Sequence, residues 1–248
     1  MNYQPRIPGM DFTGRVYGRF ARETKDTVTG KLCIVKGPFL PCADENRFQR
    51  EADILQQLPL QGVAGLRQCF RERRRCWLVF DRIPGATISD CGFGNLFPER
   101  AGWLIAKLSR ILSMCHQRGW AHCDICPANV QLHGSKVWLL DFGASLALGK
   151  RYPWQRQVRP AWSSPSLLEG KGRVSPTDDV YSLLLLSGLL LTGQQPFPGP
   201  SRTDFSRWSR RLDRPGRLSR RQWHFLQRSL EHPNNLTAQD LAVQALGW

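Results

Sequence analysis

The stretch "AHCDICPANV", residues 121–130, decides the fold, because it reads in two ways. Cys123 and Cys126 make a C-x-x-C pair beside His122, the spacing of a metal or redox site. Asp124 and Asn129 stand five apart in the same segment, two oxygen-bearing side chains on one short loop. A structural zinc site wants four ligands, and no second C-x-x-C exists in the chain. His116 and Cys115 lie upstream, where the periodicity predicts a helix. A thioredoxin-type pair would sit where a strand meets a helix N-terminus, whereas two β segments follow here, "NVQLH" (129–133) and "KVWLLDF" (136–142). The metal and redox readings therefore fit poorly, and the Asp124/Asn129 pair leads.

Outward from that loop, the C-terminal two-thirds reads helical. "ERAGWLIAKLSRILSMCHQRG" (99–119) puts Leu104, Leu108, Ile111, Leu112 and Cys115 on one face, with Gly119 as a C-cap. "SPTDDVYSLLLLSGLLLTG" (175–193) opens on Ser-Pro, offers Thr177, Asp178 and Asp179 for capping, and ends at Gly193. Its core "LLLLSGLLL" (183–191) is short of the roughly 20 apolar residues of a membrane span, so it predicts a helix buried on all sides. "RRQWHFLQRSLEH" and "TAQDLAVQALGW" predict two more helices. Between Gly143 and about Ser164 the pattern is irregular.

The first third reads β-rich. "RVYGRFARET" (15–24) and "KLCIVKGPF" (31–39) flank the turn signal "KDTVTG" and predict a hairpin. "ENRFQREADILQQL" (45–58) spaces Phe48, Ala52, Leu55 and Leu58 for an amphipathic helix. "CWLVF" (76–80) is a short buried strand, ended by the proline- and glycine-broken "DRIPGAT".

Composition narrows the class. With 248 residues, 41% of them hydrophobic, the chain buries a real core in one large domain or two lobes. Eight cysteines without a secretory start at "MNYQPRIPGMDF" predict reduced thiols and a cytoplasmic setting. A net charge of +15, mostly arginine as in "RERRR" (71–75) and "RWSRRLDRPGRLSRR" (207–221), suits phosphate or carboxylate partners. These arginines are dispersed and no nucleic-acid-binding motif accompanies them, so a solvated basic surface is the favoured reading; an acidic protein, an anionic lipid surface and nucleic acid stay open as partners, nucleic acid the least expected.

In order along the chain, these pieces resemble the protein kinase family. H-x-D-x-x-x-x-N (His122, Asp124, Asn129), followed twelve residues after Asn129 by "DFG" (141–143), is similar to that family's catalytic loop and metal-binding motif. "TGKLCIVK" resembles its third strand, with Lys36 in the place of the phosphate-holding lysine, and "RFQREADIL" the next helix, with Glu51 as its ion-pair partner. "WLVFDRIPGATI" resembles the hinge that bonds the adenine edge, through Asp81 and Ile83. "GMDFTGRV" (9–16) fits the glycine-rich loop, with Gly9, Gly14 and Val16 against ATP. "SPTDDVYSLLLLSGLLLTGQQPFPG" resembles the central C-lobe helix, with Asp179 anchoring the catalytic-loop backbone, and "LTAQDLAVQALGW" the last helix.

The resemblance spans roughly residues 9–248 and implies an α+β, two-lobed kinase-like fold: a small β-rich N-lobe (1–82) and a larger, mainly helical C-lobe (83–248). It implies ATP and Mg²⁺ as cofactors, and a serine/threonine kinase of bacterial type acting on a protein substrate. Asp124 would take the proton of the incoming hydroxyl, while Asn129 and Asp141 hold the metal. His122 is expected to pack under the loop.

The chain also departs from the family. Asp11 stands where the middle loop glycine belongs and would repel ATP. Cys123 replaces the arginine that reads a phosphate on the activation loop, and Cys126 replaces the lysine that neutralises the transferring phosphate, which predicts a slow enzyme. Ile34 and Gln131 narrow or re-polarise the nucleotide pocket. Ser166 and Asn235 stand at the two ends of a family ion pair, a matched loss that predicts neutral packing in its place. Ser145, Tyr152, Ser163 and Ser164 are candidate phosphorylation sites. Two alternatives stay open: a pseudokinase scaffold, favoured by these departures, and a small-molecule kinase acting on a sugar or lipopolysaccharide-type acceptor. The segment with Ser-Pro and "DVYSL…TGQQPF" favours a protein acceptor over the latter.

Overall fold

A computed structural model describes residues 5–40, 44, 46–72, 75–92, 98–154, 156–194, 214 and 218–247. Residues 73 and 74, the "QPFPG" end of the central-helix block and most of the arginine-rich segment 207–221 lie outside the described residues. The chain falls into two units, Met1–Pro84 and Gly85–Trp248.

The first unit is a five-stranded antiparallel sheet in the order β1-β2-β3-β5-β4, formed by β1 (Met10–Tyr17), β2 (Ala21–Asp26), β3 (Leu32–Lys36), β4 (Leu66–Glu72) and β5 (Arg75–Asp81). Helix α1 (Arg47–Gln57) covers one face. Its apolar spacing buries Phe48, Ala52 and Leu55 as expected, and Glu51 shares that buried face. Phe48 and Ala52 pack on Cys76 and Leu78. Cys33, Val35, Trp77 and Val79, the alternate residues of β3 and β5, join Ile7 and Phe39 on the other face. Both faces of β5 are therefore covered, which explains why "CWLVF" is continuously apolar rather than alternating. Gly37 is required by close approach, since a Cβ there would meet the Trp77 ring at 2.3 Å.

Two expectations for this unit are corrected. Residues 15–24 are not one strand, because the chain reverses at Gly18–Phe20 between β1 and β2, where Gly18 has φ 61°. Gly9, Gly14 and Val16, expected around a phosphate-covering turn, instead precede or lie within β1. Gly14 (φ 86°) sits in the register shift between Phe12 and Val16, and Asp11 pairs across the strands with Lys25. The expected turn at 25–30 does form: Asp26 Oδ1 accepts the N–H groups of Val28 (2.9 Å) and Thr29 (3.0 Å).

The second unit is mainly helical: α2 (Ile88–Cys91), α3 (Pro98–Gln117), α4 (Pro165–Glu169), α5 (Pro176–Thr192), α6 (Arg220–Glu231) and α7 (Ala238–Ala245). Leu104, Leu108, Ile111, Leu112 and Cys115 of α3 are all buried, and Gly119 follows its end with φ 82°. Helix α5 is buried from Asp178 to Leu191, on all sides, as its composition predicts. Strands β6 (Ala86–Thr87), β8 (Val130–His133) and β9 (Lys136–Leu139) form one antiparallel sheet, and β7 (Trp120–Ala121) pairs with β10 (Leu146–Ala147). Gly85 (φ 98°) lets β6 meet β8, because a Cβ there would lie 1.9 Å from the Leu132 carbonyl oxygen. Among the described residues, no helix is long and apolar enough to cross a membrane.

Candidate active site

The loop between β7 and β8 is pinned from below by α5. Ser175 and Pro176 start that helix, and the Asp178 carboxylate caps it by accepting the Ser175 N–H at 3.1 Å. The next residue, Asp179, is fully buried. Its Oδ2 accepts the His122 N–H and His116 Nε2, both at 2.8 Å, and its Oδ1 accepts the Cys123 N–H at 2.8 Å. Burial alone would raise this carboxyl, but the His116 bond and charge and the backbone donors hold it below the usual range. Cys123 has φ 62°, a strained value for a non-glycine residue, and the Asp179 bonds hold it there.

His122 is a packed residue, as expected. Its Nε2 donates to the Leu140 carbonyl at 3.0 Å, its Nδ1 accepts the Asp124 N–H at 3.2 Å, and its ring meets Phe142 edge-on at 4.7 Å. Those two bonds define a neutral ring that carries its proton on Nε2. His122 thereby couples the loop to the segment carrying Asp141.

The structure brings Asp124 and Asn129 together. Asn129 Nδ2 donates to Asp124 Oδ2 at 2.9 Å and to the Asp124 carbonyl at 2.8 Å. The 3-10 turn Pro127–Asn129 and the pairing of Val130 with Leu139 carry the chain on to Asp141. Asp141 is left-handed (φ 60°), with Oδ1 accepting the Gly143 N–H at 3.2 Å. Its negative charge is near enough to push the Asp124 carboxyl upward. With Nδ2 turned onto Asp124, Asn129 presents its amide oxygen as an acceptor. That oxygen and the Asp141 carboxylate are hard donors of the kind Mg²⁺ prefers, so the residues fit the ion.

Arg159 completes this cluster and was not legible in the sequence. Its Nε donates to Asp124 Oδ1 at 2.7 Å, with side-chain exposures of 50% for Arg159 and 11% for Asp124. Burial raises the Asp124 carboxyl, and the Arg159 charge offsets only part of that rise. Arg159 lies in the irregular stretch after Gly143, where no periodicity marks it. The one available signal was the lysine missing at Cys126.

Burial disfavours the thiolate form that a metal or redox role for the C-x-x-C pair would need. Burial drives the Cys123 thiol well above its usual range and the Cys126 thiol up to about 11, so both stay protonated near neutral pH. Cys123 packs with Ala121, Tyr152, Leu167 and Val174. Among the described residues, no three His, Cys, Asp or Glu side chains converge as a metal site.

In the first unit, Lys36 Nζ donates to both carboxylate oxygens of Glu51 at 2.6 Å, with side-chain exposures of 11% and 1%. The β3 register aims Lys36 at the face that α1 covers. Asp81 ends β5, opposite Cys33, and its exposed carboxylate pairs with Arg67 at 3.5 Å. Ile83 lies just beyond, half-buried. Ile34 and Gln131 are also half-buried, on β3 and β8.

The hydroxyls expected as phosphorylation sites are buried structural donors and acceptors. Ser145 Oγ donates to the His122 carbonyl (3.3 Å), Tyr152 Oη donates to Asp178 Oδ2 (2.8 Å), and Ser164 Oγ donates to Asp178 Oδ1. Ser163 Oγ accepts the Arg159 N–H at 3.1 Å. The neutral packing expected at Ser166 and Asn235 is also corrected, because both are exposed. Asp178 makes the tie instead, and Arg156 bonds the carbonyls of Leu167 and Leu168 at 2.5 Å each.

A family model described as "Protein kinase domain" matches residues 9–242. The chain is similar to the serine/threonine-protein kinase dkf-2 of Caenorhabditis briggsae, 29% identical over 79% of this chain and 17% of the relative. It is similar to the cyclin-dependent kinase-like 1 protein of Caenorhabditis elegans, 28% identical over 73% of this chain and 53% of the relative. It is also similar to the serine/threonine-protein kinase PknJ of Mycobacterium tuberculosis, 31% identical over 61% of this chain and 27% of the relative. The matched region thus spans between 17% and 53% of these relatives' lengths.

Proposed function

The chain belongs to the protein kinase domain family, and on that premise we propose that it transfers the γ-phosphoryl group of ATP to a serine or threonine hydroxyl of a protein. The observation that carries this reading is the Asp124 carboxylate, largely shielded (11% exposed) and bonded by the Asn129 amide at 2.9 Å. Asp124 orients the acceptor hydroxyl and takes its proton as the new bond forms; a carboxyl raised by burial is a better base than a solvated one. Asn129 and Asp141 would hold Mg²⁺, which supplies charge neutralisation along the phosphates. Lys36, oriented by Glu51, pairs with the α- and β-phosphates. Backbone groups at Asp81 and Ile83 take the adenine edge. The serine/threonine kinases among the relatives favour a protein acceptor over a sugar. The free cysteines fit a reducing, cytoplasmic setting.

A scaffold reading draws on a specific observation as well: residues 9–16, expected to cover the phosphates, are largely strand. Radiolabel transfer from ATP with Mg²⁺ separates the two readings. Loss of transfer in both Asp124→Ala and Asp141→Ala, against a working parent, supports the enzyme. No transfer by the parent, together with no nucleotide-induced rise in melting temperature, selects the scaffold.

A further inference from the structure

We propose that Arg159 supplies the cation that neutralises the transferring phosphoryl group, from the segment after Gly143 rather than from the loop of Asp124. This rests on the kinase reading above. Position 126, two residues after Asp124, carries a buried neutral thiol and therefore no charge. Arg159 is the guanidinium at the same carboxylate, Nε to Asp124 Oδ1 at 2.7 Å.

The geometry of Arg159 suits two tasks at once. One N–H, on Nε, is taken by Asp124. The two terminal amino groups have no hydrogen-bond partner among the described residues, on a side chain 50% exposed. A guanidinium held at one edge by a carboxylate offers its other edge to a planar array of oxygens. The backbone beneath it is fixed by a tight turn: Arg159 N to Ser163 Oγ (3.1 Å), and Trp162 N (2.8 Å) and Ser163 N (2.9 Å) to the Arg159 carbonyl. Ser164, the next residue, is tied to Asp178 at the start of α5. The cation is therefore preorganised before substrate arrives.

In the step itself, the acceptor oxygen bonds to the γ-phosphorus, and its proton passes to Asp124. The bond from phosphorus to the β-bridging oxygen breaks, and ADP leaves with that electron pair. Negative charge on the non-bridging oxygens of the group in flight faces the terminal amino groups of Arg159. Asp124 Oδ2 accepts one bond from Asn129 and has a second lone pair for the proton, so Arg159 can stay on Oδ1 as the proton arrives.

The test compares parent, Arg159→Met, Arg159→Lys and Asp124→Ala, using casein as acceptor and ADP release as a second readout. Arg159→Met is expected to lower kcat on the order of 10²-fold, with the KM for ATP changed less than about threefold, because the contact is made in the transition state. Arg159→Lys is expected to retain a rate within roughly tenfold of the parent, since it keeps a cation. Added guanidinium ion is expected to restore Arg159→Met by about tenfold and leave Asp124→Ala unchanged. A rate for Arg159→Met within about twofold of the parent overturns the proposal and leaves the kinase reading standing. A rate above the parent overturns it too, because Arg159 would then be a plug on Asp124. A parent that releases no ADP and labels no protein overturns both. Unfolded Arg159→Met leaves Arg159→Lys and the guanidinium-free parent rate to decide: a lysine variant at least about 10²-fold slower, though folded, sinks the charge argument.

Discussion

Asp179 Oδ1 accepts the Cys123 N–H at 2.8 Å, joining residues 56 apart in sequence. A fully buried carboxylate near the start of a largely apolar helix thereby fixes the backbone on which Asp124 stands. Two backbone N–H groups and His116 depend on it. Asp179→Ala leaves those donors buried without an acceptor, at about 1–3 kcal/mol for each group. The variant is expected to melt several degrees lower, at roughly 2–4 °C per kcal/mol for a chain of this size, and to lose activity beyond what its folded fraction explains. Calorimetry beside a rate measurement checks this; an unchanged melting temperature contradicts it.

The same carboxyl predicts the acid limb of stability. Asp179 is held below the usual carboxylate range in the folded chain. Its contribution is therefore complete above the unfolded-state value and is lost as pH falls through the folded value. Asp124 has the opposite sign, because burial raises it. The folded chain loses stability as pH rises from the ordinary carboxylate range through that raised value. Asp124→Asn should therefore be more stable than the parent near neutral pH, with the gap closing below the ordinary carboxylate range. Denaturant melts across pH decide it, and a gap that widens in acid would refute the assignment.

Lys36 and Glu51 form a pair whose halves are costly to separate. Lys36→Met leaves a buried carboxylate and is expected to cost about 3–5 kcal/mol. The double change Lys36→Met with Glu51→Leu should recover most of that stability yet transfer no phosphate. If the double variant is no more stable than the single ones, the pair is not the source of the loss.

The thiols at Cys123 and Cys126 are buried and stay protonated, whereas Cys91 is exposed. Maleimide labelling of the native chain at neutral pH should modify Cys91 first and leave Cys123 and Cys126 unmodified until the chain unfolds. Treatment with a zinc chelator should leave the melting temperature unchanged. Rapid labelling at Cys126, or a chelator-induced drop, would restore the metal or redox reading.

Tyr152 and Ser164 both donate to the buried Asp178. Tyr152→Phe should cost on the order of 1 kcal/mol, the net value of one hydrogen bond. After incubation with ATP, mass spectrometry of the folded chain should find no phosphate on Ser145, Tyr152, Ser163 or Ser164. Stoichiometric phosphate at any of them would show that this segment opens in solution.

Periodicity and motif spacing made much of this legible. The apolar spacing of Phe48, Ala52 and Leu55 marks the buried face of α1, whereas the partnership of Lys36 with Glu51 was legible only through the resemblance to the kinase third strand and the helix after it. The leucine-rich run of α5, broken only by Ser187 and Gly188, announces burial on every side. Asp124 and Asn129, five apart, can meet only through a tight loop, and the 3-10 turn before Asn129 provides it. Local patterns of this kind are set by backbone geometry within a few residues, so the sequence alone determines them.

What the sequence left open depends on contacts between distant segments. Strand β4 escaped notice because "LRQCFRE" lies at the sheet edge, half exposed, and so carries no continuous apolar signal. The reversal at Gly18–Phe20 carries no decisive local signal, because Gly9 and Gly14 adopt positive φ as well, and only strand pairing selects among them. The pairing of Arg159 with Asp124, 35 residues away, and the grip of Asp178 on Tyr152 and Ser164 have no local signature at all. The amino-acid order determines which side chains can carry charge and which faces must be buried. Only the tertiary fold decides which charges meet, because a buried charge takes whichever partner the packed backbone brings within bonding distance.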